Sequence, residues 1–306
     1  MVPIQLIEIL SGNSKGTILK NEQMKNHTSF HIGGLADIII PKDVGSLKDI
    51  LRLISQNNIP VTIVGNGTNL LVSDDGVEGV VIKIKDCLDH LQINNQKITI
   101  GAGFSLSKLS EVVANHGLSG LEFAIGIPGS VGGAVVMNAG AHGGEMSDVI
   151  TKVMVMNFQG VINEFNKSDL EFGYRKSKIQ NEELIVFEVE MELKESDFQE
   201  INEKMVKFLE WRKKNQPIHI PNAGSIFKNP ENDYAGRLID LAGCKGMNIG
   251  GAQVSELKAN FIVNNGNATA QNVLDLMNKI QDSVLKKFGV SLVPEIKMMG
   301  FGSNVK

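Results

Sequence analysis

The chain has 306 residues, which is enough for two or three domains that each bury a core. Hydrophobic residues make up 42% and charged residues 21%, the composition of a folded protein rather than a disordered one. The net charge of −4 argues against electrostatic binding of nucleic acid or of an anionic membrane surface. Cys87 and Cys244 stand far apart with no CxxC, which favours reduced thiols in a cytoplasm. The N-terminal MVPIQLIEIL has no basic residue before its apolar residues, so we expect no secretory signal.

The first 200 residues read as alternating helices and strands. A helix at 46–57 starts with a capping-box-like pair, Ser46 and Asp49, and a helix at 106–116 is ended by Gly117. Short β-branched or alternating runs predict strands, with a strand pair flanking an Asn-rich turn. The predicted strands are 61–64, 70–72, 80–84, 98–100, 152–158 and 184–193, the third and fourth forming that pair.

Composition changes near residue 197, where a second α+β unit begins. Amphipathic spacing and cap residues predict three helices, the last with Thr269 as N-cap and Gly289 as its stop. These helices are 198–214, 234–242 and 270–288, with a strand at 259–263. The predicted fold class is therefore α+β with more than one unit.

Residues 123–144 (FAIGIPGSVGGAVVMNAGAHGG) carry no formal charge if His142 is neutral, and their length would suit a membrane span. Seven glycines and Pro128 argue against one, because a helix interior loses roughly 1 kcal/mol per glycine and about 3 kcal/mol for proline. We predict instead that this backbone is kept small so that a ligand can lie against it.

A second glycine motif, GNGTN at 65–69, stands between two predicted strands. Leu70 occupies a position where a Rossmann fingerprint needs Gly or Ala, so that fingerprint is not met. Glycines here still let backbone N–H groups converge on an anion, although the motif taken alone favours a tight structural turn. Together with IPGSVGG (127–133), the motif predicts two loops that grip a diphosphate cofactor; the alternative for IPGSVGG is a Gly-rich packing helix.

Three further places hold reactive side chains. Arg175 in YRKS is a permanent cation able to clamp a carboxylate, Ser225 follows a glycine in NAGSIFKNP, and Glu295 follows a proline in VPEIK. Spacing alone does not bring them together. His27 and His31 have the i, i+4 spacing of a zinc helix, but no third ligand is evident, so no metal site is predicted.

Taken in order, these motifs resemble one family. GNGTNLL, GIPGSVGGAVVMNAGAHGGE, YRKS, AGSIFKNP, KGMNIGGAQVSELKANFIVN and PEIK are similar to the MurB family of UDP-N-acetylenolpyruvoylglucosamine reductases of bacterial peptidoglycan synthesis. The resemblance runs from about Asn26 to Gly300. It implies an N-terminal segment (1–30), a PCMH-type FAD-binding domain (31–197, two subdomains split near 98), a MurB substrate domain (198–294) and a tail (295–306) carrying a catalytic Glu.

The resemblance also implies the chemistry. NADPH reduces a non-covalent FAD, and the enolpyruvyl ether of UDP-N-acetylglucosamine is then reduced in the same cleft. Arg175 stabilises the enolate-like state, Glu295 hydrogen-bonds to it if its carboxyl is protonated, and Ser225 delivers the proton. The implied FAD contacts are Gly65, Asn66, Gly67, Thr68, Asn69, Leu70, Ile127, Pro128, Gly129, Ser130, Gly132, Gly133, Asn138, Ala139 and Gly140. The implied substrate contacts are Tyr174, Lys228, Asn229 and Lys258.

Departures from the family pattern and two alternatives remain. His142 stands where many members have Tyr, and Asn215 where many have Lys, with Lys213 and Lys214 nearby. QNEEL (180–184) leaves no room for the tyrosine-bearing lid of one subclass. The alternatives are a flavin oxidase acting on a sugar alcohol or lactone, and a non-catalytic UDP-sugar or flavin-binding regulator. Only small-molecule partners are expected, in a bacterial cytoplasm, with a monomer favoured.

Overall fold

The computed structural model describes residues 16–85 and 87–302, with Asn181 described by its backbone alone. The chain forms two compact units, and it crosses from one to the other several times. Within the described residues, unit 1 comprises 16–20, 37–66 and 79–211, and unit 2 comprises 21–36, 67–78 and 212–302. In the described part of the chain, no helix has the length and apolar character needed to span a membrane.

Helices and strands are both abundant, in agreement with the predicted α+β class. The strands are β1 Gly16–Gln23, β2 Leu35–Pro41, β3 Val61–Val64, β4 Leu70–Val72, β5 Val80–Lys83, β6 Leu91–Asn94, β7 Lys97–Gly101, β8 Leu118–Ser119, β9 Gly140–Ala141, β10 Gly144–Glu145, β11 Ile150–Asn157, β12 Ile162–Asn166, β13 Leu184–Glu192, β14 Lys194–Glu195, β15 Asn222–Ser225, β16 Asn248–Ile249, β17 Ala252–Val254, β18 Phe261–Asn264 and β19 Lys297–Met299. The α-helices are α1 Val44–Gln56, α2 Leu106–Asn115, α3 Val131–Val136, α4 Phe198–Asn215, α5 Ala235–Leu241 and α6 Ala270–Phe288. Short 3-10 helices lie at Met24–His27, Glu122–Ala124, Met146–Asp148, Lys167–Leu170 and Lys178–Asn181.

Unit 1 is organised by two sheets. One has the order β1-β2-β5-β3, with β5 parallel to both β2 and β3, and the other is antiparallel with the order β12-β11-β13-β7-β6. A continuous apolar core joins the buried faces of α1, α2 and α3 to residues of both sheets. Strand β3 ends at Val64, so the loop that begins with Gly65 lies at the carboxyl end of this strand.

Two local predictions for unit 1 are wrong. The strand at 80–83 does not pair with the strand at 97–101, because β5 joins the parallel sheet while β7 pairs with β6 across the Asn-rich turn. Helix α1 starts two residues earlier than predicted, and its cap is Asp43, whose carboxylate accepts the Ser46 backbone N–H at 2.8 Å. A β-branched run reveals that a strand exists but says nothing about which strand it pairs with.

Unit 2 is built on the antiparallel sheet β15-β18-β17-β16 and on helix α6. The bounds of α6 agree with the prediction. The hydroxyl of Thr269 accepts the Asn272 N–H at 3.0 Å, and Gly289 ends the helix with a φ of +69°. The Asp74 carboxylate adds two further hydrogen bonds from the first turn of this helix, where a negative charge is favoured by the helix dipole.

Candidate active site

In unit 1 the two predicted glycine loops touch each other. A Cβ added at Gly65 would lie 2.3 Å from the hydroxyl of Ser130, so no larger side chain fits at Gly65 while Ser130 stays in place. Ser130 is buried and its hydroxyl accepts the Gly133 N–H at the start of α3. The first glycine of GNGTN is therefore required by close contact with IPGSVGG.

The backbone of IPGSVGG is less available than the sequence suggested. The N–H groups of Val131 and Gly132 donate to the carbonyls of Phe104 and Ala102, at 2.9 and 2.8 Å. Gly132 is buried, and a Cβ there would lie 2.8 Å from the Cβ of Ala102. These N–H groups are not donors to a ligand in this conformation. The absence of a Cβ at Gly132 lets α3 pack closely against Ala102, and the contact of Gly132 with FAD stays a prediction.

Asn138, a predicted cofactor contact, is fully buried. Its contact with the cofactor stays a prediction, and the structure shows its bonds to two loops. Its amide donates to the carbonyl of Gly173 at 3.1 Å, and its oxygen accepts the Ser147 N–H at 2.9 Å. Asn138 therefore ties the Gly-rich segment to the loop that carries Arg175.

Arg175 occupies a tight turn closed by reciprocal backbone hydrogen bonds between Gly173 and Lys176. Its φ is +53°, in the left-handed region that costs an L residue roughly 1–2 kcal/mol. Its Nη2 donates to the carbonyl of Gly140 at 2.9 Å, and its guanidinium carbon lies 5.2 Å from the centre of the exposed Tyr174 ring. The structure thus brings together Arg175 and Gly140, which were predicted to act on substrate and cofactor.

Two residues that the sequence reading passed over bond to the end of α3 beside this turn, and one of them, Gln180, also bonds to the turn itself. Gln180 donates from Nε2 to the Arg175 carbonyl at 3.0 Å and to the Val136 carbonyl at 2.8 Å. Ser177, which is fully buried, donates to the same Val136 carbonyl at 2.7 Å. The sequence offers a weak signal for both, since Ser177 is the last residue of YRKS and Gln180 stands three residues after it.

His142 belongs to an aromatic cluster at the end of α4. Its ring stacks on Phe208 with centroids 4.1 Å apart and an interplanar angle of 6°, and Trp211 meets it edge-on at 5.2 Å. The backbone of His142 has a φ of +54° at the turn between β9 and β10. An aromatic side chain at this position therefore fastens the hairpin that carries Gly140.

In unit 2, Ser225 ends β15 directly after a bulge. Asn222 shapes the bulge, because its side-chain oxygen accepts the Gly224 N–H at 2.9 Å and its amide binds the carbonyls of Pro217 and Ile220. Gly224 has a φ of +80°, which favours glycine immediately before the serine. Ser225 is half-buried.

Backbone pairing places Glu295 against Ile226, the residue that follows Ser225. The Glu295 N–H donates to the Ile226 carbonyl at 2.8 Å, and the Lys228 N–H donates to the Val293 carbonyl at the same distance. The Asn69 side-chain amide donates to the Glu295 carbonyl at 3.3 Å. Within unit 2 the structure therefore joins Asn69, the last residue of GNGTN, to the motifs NAGSIFKNP and VPEIK.

Asn260 is a further residue that the sequence reading missed. It is buried, and it forms a reciprocal pair with the backbone of Phe227: its oxygen accepts the Phe227 N–H at 3.0 Å and its amide donates to the Phe227 carbonyl at 2.8 Å. This pair fixes the strand segment that follows Ser225. The signal that could have revealed it is a single asparagine within the otherwise apolar predicted strand 259–263.

Unit 2 also gathers cations, of which Lys258, Arg212 and Lys228 are half-buried and Lys297 is exposed. Burial lowers the pKa of the Lys258 ammonium from its usual value, and the nearby Arg212 cation lowers it further. Burial around its ammonium, followed by the Lys228 charge, lowers the pKa of Lys297. Like charges held close together favour an anionic partner. Asn229, also predicted to contact substrate, accepts the Ala235 N–H at the start of α5.

The division into units separates the three predicted catalytic residues along the chain: Arg175 belongs to unit 1, and Ser225 and Glu295 belong to unit 2. Their convergence on one substrate stays a prediction. The domain boundaries at 31, 198 and 295 also stay predictions.

Comparison with known proteins identifies the family. Residues 216–299 match the C-terminal domain of UDP-N-acetylenolpyruvoylglucosamine reductase, and residues 36–166 match an FAD binding domain. The reductase of Bacillus licheniformis is 44% identical over 97% of this chain and 98% of its own. The chain belongs to the MurB family of UDP-N-acetylenolpyruvoylglucosamine reductases. The reductase of Alkaliphilus oremlandii is 47% identical over 92% of this chain and 93% of its own. The crystal structure of MurB from Thermus caldophilus is 37% identical, covers 93% of this chain and 99% of that one, and superposes with a TM-score of 0.80.

These matches confirm the family and fold inferred from the motifs, including the FAD-binding domain. The structure also fits that cofactor at one atom. Asn66 Oδ1, in the GNGTN loop, is buried and has no hydrogen-bond partner among the described residues. An unpaired buried acceptor is destabilising by about 1–3 kcal/mol unless a donor reaches it. The ribityl and ribose hydroxyls and the ring N–H groups of FAD are donors, whereas an ionised phosphate only accepts. The Asn66 oxygen therefore suits a hydroxyl or a ring N–H of FAD better than a phosphate.

Proposed function

We propose that this protein catalyses the NADPH-dependent reduction of the enolpyruvyl ether of UDP-N-acetylglucosamine to UDP-N-acetylmuramate. The observation that carries the proposal is the match to curated reductases over nearly the whole length of both chains, at 42–47% identity. Arg175, Ser225 and Glu295 all fall in motifs that the family shares. The reaction belongs to peptidoglycan synthesis, and we infer a cytoplasmic location.

FAD, held by the GNGTN loop and the accessible residues around Gly140, would supply hydride transfer from NADPH to the vinyl CH2 carbon of the substrate. The chain's own residues manage the charge and the proton. Arg175 is a fixed cation in a turn pinned to Gly140, and we assign it to the carboxylate and the enolate-like oxygens. A guanidinium suits this role because it presents parallel donors to two oxygens at once.

Ser225 is assigned to deliver a proton to the carbon next to the carboxylate. A serine hydroxyl is a weak acid, so its contribution must come from being held on the correct face of the substrate. The Asn222 turn before it and the Asn260–Phe227 pair after it provide that rigidity. Glu295, fixed by its backbone bond to Ile226, is assigned to hydrogen-bond with the same developing charge.

The test separates the two halves of the reaction by stopped-flow absorbance. Ser225→Ala is expected to leave FAD reduction by NADPH unchanged and to slow turnover of the enolpyruvyl substrate by about 100-fold or more, the scale of general-acid catalysis. Equal loss in both halves would remove the assigned role. NADPH oxidation that needs no enolpyruvyl substrate, but consumes oxygen readily, would favour the flavin oxidase instead. Bound FAD without any oxidation of NADPH would favour the non-catalytic regulator.

A further inference from the structure

Gln180 lies in the 3-10 helix Lys178–Asn181, just beyond the turn that carries Arg175. Its Nε2 is within hydrogen-bond distance of two backbone carbonyls, those of Arg175 at 3.0 Å and of Val136 at 2.8 Å. Val136 is the last residue of α3, where helix carbonyls have no partner within the helix. One amide group therefore links the end of α3 to the backbone of Arg175.

The Arg175 turn needs such a link. Gly173 and Lys176 close it, and Arg175 takes the third position with a φ of +53°. When only that position of a tight turn has positive φ, Gly or Asn is the usual residue, because other side chains are strained there. A strained conformation persists only where the surroundings over-determine it. The donor that holds the Arg175 carbonyl is one such determinant, and the Nη2 bond to Gly140 is another.

We propose that Gln180 is a positioning residue for Arg175; the proposal rests on the catalytic role assigned to Arg175 above. By fixing the Arg175 carbonyl, Gln180 keeps the turn left-handed and the guanidinium directed along its bond to Gly140. Without this donor the turn relaxes toward negative φ, and the guanidinium leaves the place where the developing negative charge needs it. Displacement of a catalytic group by about 1 Å can slow a reaction by about 100-fold.

Ser177 provides a matched control for a purely structural role. Its hydroxyl donates to the same Val136 carbonyl, from a fully buried position, but it has no bond to the Arg175 carbonyl among the contacts of the described residues. Ser177→Ala and Gln180→Met both remove a buried donor from Val136. Only Gln180→Met removes the donor from Arg175, with little change in side-chain length.

The experiment measures the two half-reactions of FAD-loaded protein for wild type, Gln180→Met, Ser177→Ala, Arg175→Ala and the Gln180→Met/Arg175→Ala double variant. Gln180→Met is expected to slow reduction of the enolpyruvyl substrate by about 10- to 100-fold, with FAD reduction by NADPH unchanged. Ser177→Ala is expected to lower Tm while changing that rate by less than about threefold. In the Arg175→Ala background, Gln180→Met is expected to add no further loss, as for residues that act as one unit.

The outcomes separate the two proposals. If Arg175→Ala leaves the enolpyruvyl half-reaction intact, the assigned role of Arg175 fails. If Arg175→Ala slows it but Gln180→Met does not, or if the two losses multiply in the double variant, the positioning role is overturned. Gln180→Glu serves as a second variant if Gln180→Met folds poorly, because a carboxylate cannot donate to either carbonyl and should slow the same step. A crystal structure of either variant reports directly whether φ of Arg175 has changed.

Discussion

The two units hold their proposed catalytic residues by different means. In unit 1, Arg175 sits in a strained turn that side chains hold in place, with Asn138 on Gly173 and Gln180 on Arg175 itself. In unit 2, Glu295 is fixed by ordinary backbone pairing to the strand that follows Ser225. Side-chain bonds can each be removed by one substitution, whereas a backbone ladder cannot.

This difference predicts which substitutions should displace each catalytic residue. The position of Arg175 should respond to changes in residues that do not themselves contact substrate. The position of Glu295 should respond mainly to changes that disturb the sheet as a whole, and so to losses of stability. Substitutions of residues that position Arg175 should therefore slow the reaction with little loss of stability. Substitutions that move Glu295 should mainly lower the stability of unit 2.

The largest expected effect is that of Arg175→Lys. A lysine keeps the positive charge but lacks the planar fork, and it carries a different side chain into a turn fitted to a guanidinium. We expect the enolpyruvyl half-reaction to slow by about 100- to 1000-fold, the scale of removing one charge-stabilising donor. Stopped-flow absorbance measures it, with Lys176→Arg as the control on the exposed neighbour. A loss below about threefold would mean that the charge alone suffices.

The second effect tests unit 2 through Asn260. Asn260→Ala leaves the buried N–H and carbonyl of Phe227 without their side-chain partner. Each of these two groups is expected to destabilise by about 1–3 kcal/mol, so the free energy of unfolding should fall by about 2–6 kcal/mol in denaturant titrations. Asn265→Ala, which removes an exposed bond to Gln253, should stay within about 0.5 kcal/mol of wild type. Similar losses for both variants would contradict the view that the Asn260–Phe227 pair supports the strand.

How far the sequence could predict this site follows from the same contrast. Helices can be predicted from local periodicity and cap residues, which is why the observed bounds of α6 agree with the prediction at both ends. The motif residues Arg175, Ser225 and Glu295 could be named because a family resemblance marks them. Strand partners depend on contacts far apart in the chain, so the pairing of β5 with β2 and β3 was beyond local pattern.

The supporting polar residues were also beyond reach from the sequence. The residues next to Asn138 in the sequence do not show that its side chain lies buried between two loops. Gln180 and Asn260 bond to backbone atoms of Arg175 and Phe227. Almost every residue has the same backbone groups, so the amino-acid types of these partners do not reveal the bonds. A sequence shows which side chains are available, but only the fold shows which backbone groups need them.

The third effect tests the contact between the glycine loops. Gly65→Ala places a Cβ 2.3 Å from the Ser130 hydroxyl, and overpacking of this kind is expected to destabilise by about 1–3 kcal/mol. We expect the Kd for FAD to rise by about 10- to 100-fold in fluorescence titrations, because the loop carrying Asn66 must move. The Gly65→Ala/Ser130→Gly double variant removes the clashing hydroxyl and should recover most of the affinity. Gly45→Ala, in an uncrowded turn of α1, is the control and should bind FAD like wild type.

The smallest effect concerns the cations of unit 2 and depends on pH. The pKa of Lys258 is lowered in the folded protein, so between that lowered value and the usual 10.5 the unfolded chain binds more protons. Stability of the ligand-free protein should therefore rise with pH through that window. Lys258→Met should raise Tm slightly at neutral pH and flatten this rise, while increasing KM for the UDP-sugar substrate by about tenfold through the lost charged hydrogen bond. Lys245→Met, which removes a surface ion pair with Asp240, should do neither. A drop in Tm for Lys258→Met at neutral pH would show that its ammonium is stabilised in the fold, and that it is not held ready for an anion.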